Sequence, residues 1–118
     1  MKISAVELDD TDVVEIFTTA MEGGIGYWAV ADNYKWMHLY EDDTRLQAIE
    51  LGDDYVLAVL SDTEGDDFKD LKLTPFVIRR GVNWVMHHRP DLINIMDIDA
   101  TAADAIVQAG LFDEIVYG

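Results

Sequence analysis

The chain has no cysteine, which removes disulfide frameworks and thiolate metal sites. It also has no apolar run near the roughly 20 residues a membrane-spanning helix needs, so no membrane partner is expected. The N-terminal MKISAVELDD lacks the apolar core of a secretory signal, and a cytoplasmic protein is the expectation. Basic residues are scarce: 8 Lys and Arg stand against 24 Asp and Glu, 17 of them Asp, for a net charge of −16. Such a field repels DNA, RNA and anionic lipid and attracts basic protein surfaces, so direct nucleic-acid binding is not expected. Solubility, a salt-adapted host or imitation of a phosphate backbone would each produce this balance. What the chain does not lack is apolar surface. Half of its 118 residues are hydrophobic, enough for one core and too few for two domains. A single domain over residues 1–118 follows.

The pattern of residues predicts an α+β fold: an antiparallel sheet of three to five strands with about three helices packed on one face. TDVVEIFTTAME (11–22) has helical spacing, and Gly23 and Gly24 look like its stop. Strands are predicted over IGYWAVA (25–31), YKWMHLYE (34–41), TRLQAIEL (44–51) and YVLAVLSD (55–62). TEGDDFKD (63–70) reads as a charged loop with no evident chemistry. Thr74 as N-cap and Pro75 at the first helical position open a helix through His88. Gly81 interrupts that helix at about 1 kcal/mol relative to Ala, which points to close packing or a ligand. A last helix covers 100–109, capped by Asp99 or Thr101 and stopped at Gly110, and LFDEIVYG (111–118) is predicted as a closing strand.

Two stretches draw attention as binding surfaces. From Leu71 to Pro90 there is no acid, while Arg79, Arg80 and Arg89 make up three of the four arginines. An arginine fork suits phosphate or carboxylate; pairing with the surplus carboxylates is the competing explanation. The other stretch, Gly26-Tyr27-Trp28, places backbone beside aromatic rings. Alternation along a strand would send Tyr27 and Trp28 to opposite faces. Asp104 and Gln108 are four apart on one helix face and able to read a base edge, with Tyr117 closing the site. The candidate ligand-binding set is Gly26, Tyr27, Trp28, Arg79, Arg80, Asp104, Gln108 and Tyr117. No catalytic motif is present, the adjacent His87 and His88 diverge on a helix, and neither a metal nor a cofactor is expected.

The segments "EGGIGYWA" (22–29), "LTPFVIRRGV" (73–82) and "DATAADAIVQAGLFDEIVYG" (99–118) resemble small acidic proteins of actinobacteria and their bacteriophages. That family has no settled activity. The resemblance implies a phage-associated accessory protein, and analogy with such proteins suggests counter-defence. Where it leads one to expect Phe-Gly-Glu, this chain has Phe112-Asp113-Glu114.

Two functions are then in view, neither enzymatic. One is a sponge that sequesters a small anionic nucleotide, an immune signal of the host, in sites that a homo-oligomer would suit. The alternative is an acidic nucleic-acid mimic that occupies a basic host protein surface.

Overall fold

The computed structural model describes residues 8–32, 52–63, 67–93 and 98–118. The strands predicted over 34–41 and 44–51 lie outside these residues, as does His38.

Helix α1 spans Asp10–Thr19, and Asp9 starts it with a capping box. The Asp9 carboxylate accepts the Asp12 N–H at 2.8 Å while Asp12 reaches back to the Asp9 N–H at 3.4 Å. Carboxylates at this end also suit the partial positive charge of the helix N-terminus. Val13, Val14, Ile16 and Phe17 form its buried face. The helix then widens into a π-turn, Ala20–Gly24, closed by the Ile25 N–H reaching back five residues to the Ala20 carbonyl at 3.1 Å. Gly23 and Gly24 are therefore not left-handed caps; neither has positive φ. Gly24 instead lets this turn lie against a later helix, since a Cβ there would stand 3.1 Å from the Ala100 carbonyl oxygen.

A tight turn follows, in which the N–H groups of Trp28 and Ala29 both donate to the Ile25 carbonyl at 3.0 Å. Strand β1 begins only at Ala29 and runs to Asp32, so Tyr27 and Trp28 sit on a turn and the expected strand alternation does not apply to them. It pairs antiparallel with β2, Ala58–Asp62, with Ala29 opposite Asp62 and Ala31 opposite Leu60. On its other side β2 pairs antiparallel with β3, Leu71–Leu73. The pattern of residues did not reveal β3: three residues behind a charged loop give too short a signal. Alternation along β2 turns Ala58, Leu60 and Asp62 inward.

Helix α2 covers Pro75–His88 behind the Thr74 cap, whose hydroxyl accepts the Val77 N–H at 3.2 Å. Helix α3 covers Ala100–Phe112, capped by Asp99 through the Ala102 N–H at 2.8 Å. It runs past Gly110 and ends at Asp113, which takes the left-handed conformation, φ 60° and ψ 22°. Residues 113–118 are an irregular tail and not the predicted strand. Gly81 and Gly110 let α2 and α3 touch backbone to backbone. A Cβ on Gly81 would overlap the Ile106 carbonyl, and one on Gly110 the Val77 carbonyl. Close packing, not a ligand, accounts for Gly81. Phe17, Leu57, Leu60, Leu73, Ile78 and Ile106 fill the core between the helices and the sheet.

Candidate functional site

Asp104 and Gln108 project from one face of α3, a turn apart, toward the turn that carries Tyr27 and Trp28. The Asp104 carboxylate accepts three hydrogen bonds: from the Tyr27 hydroxyl at 2.6 Å, the Trp28 indole N–H at 2.7 Å and the Gln108 amide at 2.9 Å. Gln108 is fully buried. Its carbonyl oxygen accepts the backbone N–H groups of Val116 and Tyr117 at 2.8 and 2.7 Å, and its amide also donates to the Tyr117 carbonyl at 3.3 Å. A buried carboxamide with both ends occupied fastens the tail to α3. It is not aimed at a base edge.

The tail in turn places the Tyr117 ring on Trp28, the two nearly parallel at 6° with centroids 5.1 Å apart. Phe68 and Phe112 meet Trp28 edge-on at 5.9 and 5.8 Å, geometries that the charge distribution of aromatic rings favours. Beside this cluster opens a cleft of about 430 Å³ lined by Tyr27, Trp28, Asp62, Thr63, Asp67, Tyr117 and Gly118. Trp28, only 2 % exposed, belongs to its floor; Tyr27, 55 % exposed, stands at its rim.

The cleft is electronegative. Asp62 is the one buried acid among the described residues, and its carboxylate accepts the Asp67 backbone N–H. The Tyr117 hydroxyl donates to Asp67 Oδ2 at 3.3 Å. Loss of solvent, and then the negative charges of Asp67 and Asp62, hold the Tyr117 phenol above its ordinary value. The Tyr27 phenol is pushed up to about 12, first by desolvation and then by its bond to Asp104 and that residue's charge. Among the described residues no basic side chain lines the cleft.

Five of the eight residues singled out in the sequence thus meet in one network: Tyr27, Trp28, Asp104, Gln108 and Tyr117. Gly26 makes no close approach, since a Cβ there would meet nothing within 4 Å. Arg79 and Arg80 do not join the network. Arg79 donates to the Leu8 carbonyl at 3.0 Å and pairs with Asp10 at 3.3 Å and Asp53 at 3.5 Å. Arg80 donates through Nε to the Gly110 carbonyl at 2.9 Å and lies 5.3 Å from the Phe76 ring centre. Arg89 forms a two-pronged pair with Asp91 at 3.1 and 3.0 Å. Carboxylates thus pair with Arg79 and Arg89, whereas Arg80 is held by a backbone carbonyl.

The ligand-binding set read from the sequence omits Asp62, Thr63, Asp67 and Gly118, although the acidic cluster from Asp62 to Asp70 is part of the charge that suggests a nucleic-acid mimic. Asp62 also occupies an inward position in the alternation Ala58, Leu60, Asp62 where an apolar residue is the norm. His87 and His88 each bond through Nδ1 to the carbonyl four residues before, at 2.7 and 2.9 Å. Among the described residues no three His, Asp or Glu side chains converge as metal ligands. No protein-family model, curated protein or solved structure matches this chain.

Proposed function

We propose that the protein is a non-enzymatic binding module for a basic protein surface. Acting in the cytoplasm, it would compete with nucleic acid for that surface. The observation that carries this reading is the make-up of the cleft: aromatic walls and two carboxylates, with no cation among the described residues that line it. A protein of net charge −16 steers toward basic partners at long range, and the cleft gives that attraction a contact point. The same observation weighs against a sequestered nucleotide. Arg79 and Arg80 were to hold its phosphates, yet they serve α1, α2 and α3, and phosphates in the cleft would face Asp62 and Asp67. The resemblance to small phage proteins supports a counter-defence setting, in which the target is a host protein with a nucleic-acid groove.

The test is competition. A fluorescein-labelled DNA duplex is bound to a peptide from a basic DNA-binding helix, and the protein is added at low salt. Fluorescence anisotropy should fall as the protein displaces the duplex. Unchanged anisotropy, together with a cyclic or linear nucleotide that raises the melting temperature, would overturn the proposal in favour of nucleotide sequestration.

A further inference from the structure

The same cleft has a finer chemistry than bulk acidity. Its carboxylates lie at two depths: Asp62 is 8 % exposed, while Asp67 is open to solvent at the rim. Asp67 is fixed at both ends of its residue, by its N–H on Asp62 and by the Tyr117 hydroxyl on its carboxylate. The rings of Tyr27 and Tyr117 belong to the same wall system. Tyr117 cannot swing away freely, since it is stacked on Trp28 and its backbone is tied to Gln108. Fixed aromatic faces beside fixed carboxylate oxygens suit a flat cation better than a spherical one. A guanidinium can stack on a ring and present a planar fork of N–H donors to carboxylates, whereas an ammonium is a compact, strongly hydrated point charge. The volume, about 430 Å³, lies near the low end of the roughly 300–1,000 Å³ typical of ligand pockets. It is large enough for an arginine side chain.

We propose that this cleft is a receptor for one arginine side chain of the partner, its guanidinium held by the Asp67 carboxylate at the rim against the tyrosine rings. The proposal rests on the reading that the target is a basic protein surface, and it names the residue of that surface that is read.

Titration of ¹⁵N-labelled protein with N-acetyl-arginine amide and, separately, N-acetyl-lysine amide tests it by NMR. The Trp28 indole N–H and the backbone N–H of Tyr117 report on the cleft from its floor and its wall. Both should shift saturably with the arginine derivative, which should bind several-fold tighter than the lysine one. Asp67→Asn, at an exposed position that leaves the core untouched, should weaken arginine binding by about tenfold, the effect of losing one charged hydrogen-bond acceptor. Absence of shifts at Trp28 and Tyr117, equal binding of lysine, or indifference to Asp67→Asn would overturn the proposal. If the protein still displaces the DNA duplex in the competition assay, the arginine receptor fails while the basic-partner reading stands. If it neither displaces the duplex nor binds the arginine derivative, both fail.

Discussion

Asp104 organises more of the site than any other single residue. It receives a phenol, an indole and a carboxamide, and removing it takes the acceptor from the indole N–H of the buried Trp28. Asp104→Ala should therefore cost about 3 kcal/mol in urea unfolding. Asp104→Asn, which keeps one acceptor oxygen, should cost about 1 kcal/mol. The Tyr27 phenol adds a pH signature. Its folded value of about 12 exceeds the ordinary value of 10, so above pH 10 the unfolded chain releases this proton before the native one does. The stabilisation is complete below pH 10 and is lost as the pH rises to about 12. Urea midpoints should fall across that window in the parent protein and fall less in Tyr27→Phe. Absorbance at the phenolate band should show Tyr27 and Tyr117 ionising late. At this scale residue types were legible in the sequence and their contacts were not. Tyr27, Trp28, Asp104, Gln108 and Tyr117 stood out as residue types. Their use of one another as hydrogen-bond partners depends on a π-turn that no local pattern announces.

Among the elements, the α2–α3 contact and the end of α3 make opposite demands on glycine. Gly81 lies mid-helix and Gly110 in the last turn of α3; helix propensity favours Ala by about 1 kcal/mol in a helix interior, yet each glycine faces a backbone carbonyl of the other helix. Backbone cannot yield as a side-chain tip can. Gly81→Ala and Gly110→Ala should each destabilise by about 3 kcal/mol despite the gain in helix propensity. Asp113 is the converse case. It is a non-glycine residue at φ 60°, in the left-handed position that helix ends most often give to glycine. Asp113→Gly should raise stability by about 0.5–1 kcal/mol, and thermal melts of the three variants would show the two signs. The helices were readable in advance because Thr74-Pro75 and Asp99 are strong start signals. Their ends were less so: Gly110 looked like a stop when it is a contact. The tail was misread because its apolar alternation, Ile115 and Tyr117, packs against the core while the backbone N–H groups of 116 and 117 turn to Gln108 and not to a sheet.

For the molecule as a whole, the net charge of −16 points toward a basic partner, while the position of charge in the chain points the other way. The acid-free segment looked like an anion site, but a helix surrounded by surplus carboxylates finds its counter-ions at home, as Arg79 does with Asp10 and Asp53. These pairs of the half-buried Arg79 take up the donors that a phosphate would need. The competition with duplex DNA should accordingly be strong at about 0.05 M salt and weak at about 0.3 M, because exposed charges are screened over a Debye length that shortens from roughly 14 to 6 Å across that range. A residue of salt-resistant binding is what a desolvated arginine in the cleft would leave behind.

Gln108 carries a consequence for how the sequence can drift. It grips the tail by main-chain atoms of residues 116 and 117, so the grip does not read which side chains those residues bear. Val116, half out in solvent, is free to be replaced by many residues, and only the ring at 117 has a second reason to stay. Position 108 has no such latitude. Glutamate there would lose the donor that meets Asp104 and set two carboxylates side by side, while leucine would leave the tail's N–H groups unanswered. Selection on the tail is thus exerted eight residues upstream of it, inside a helix.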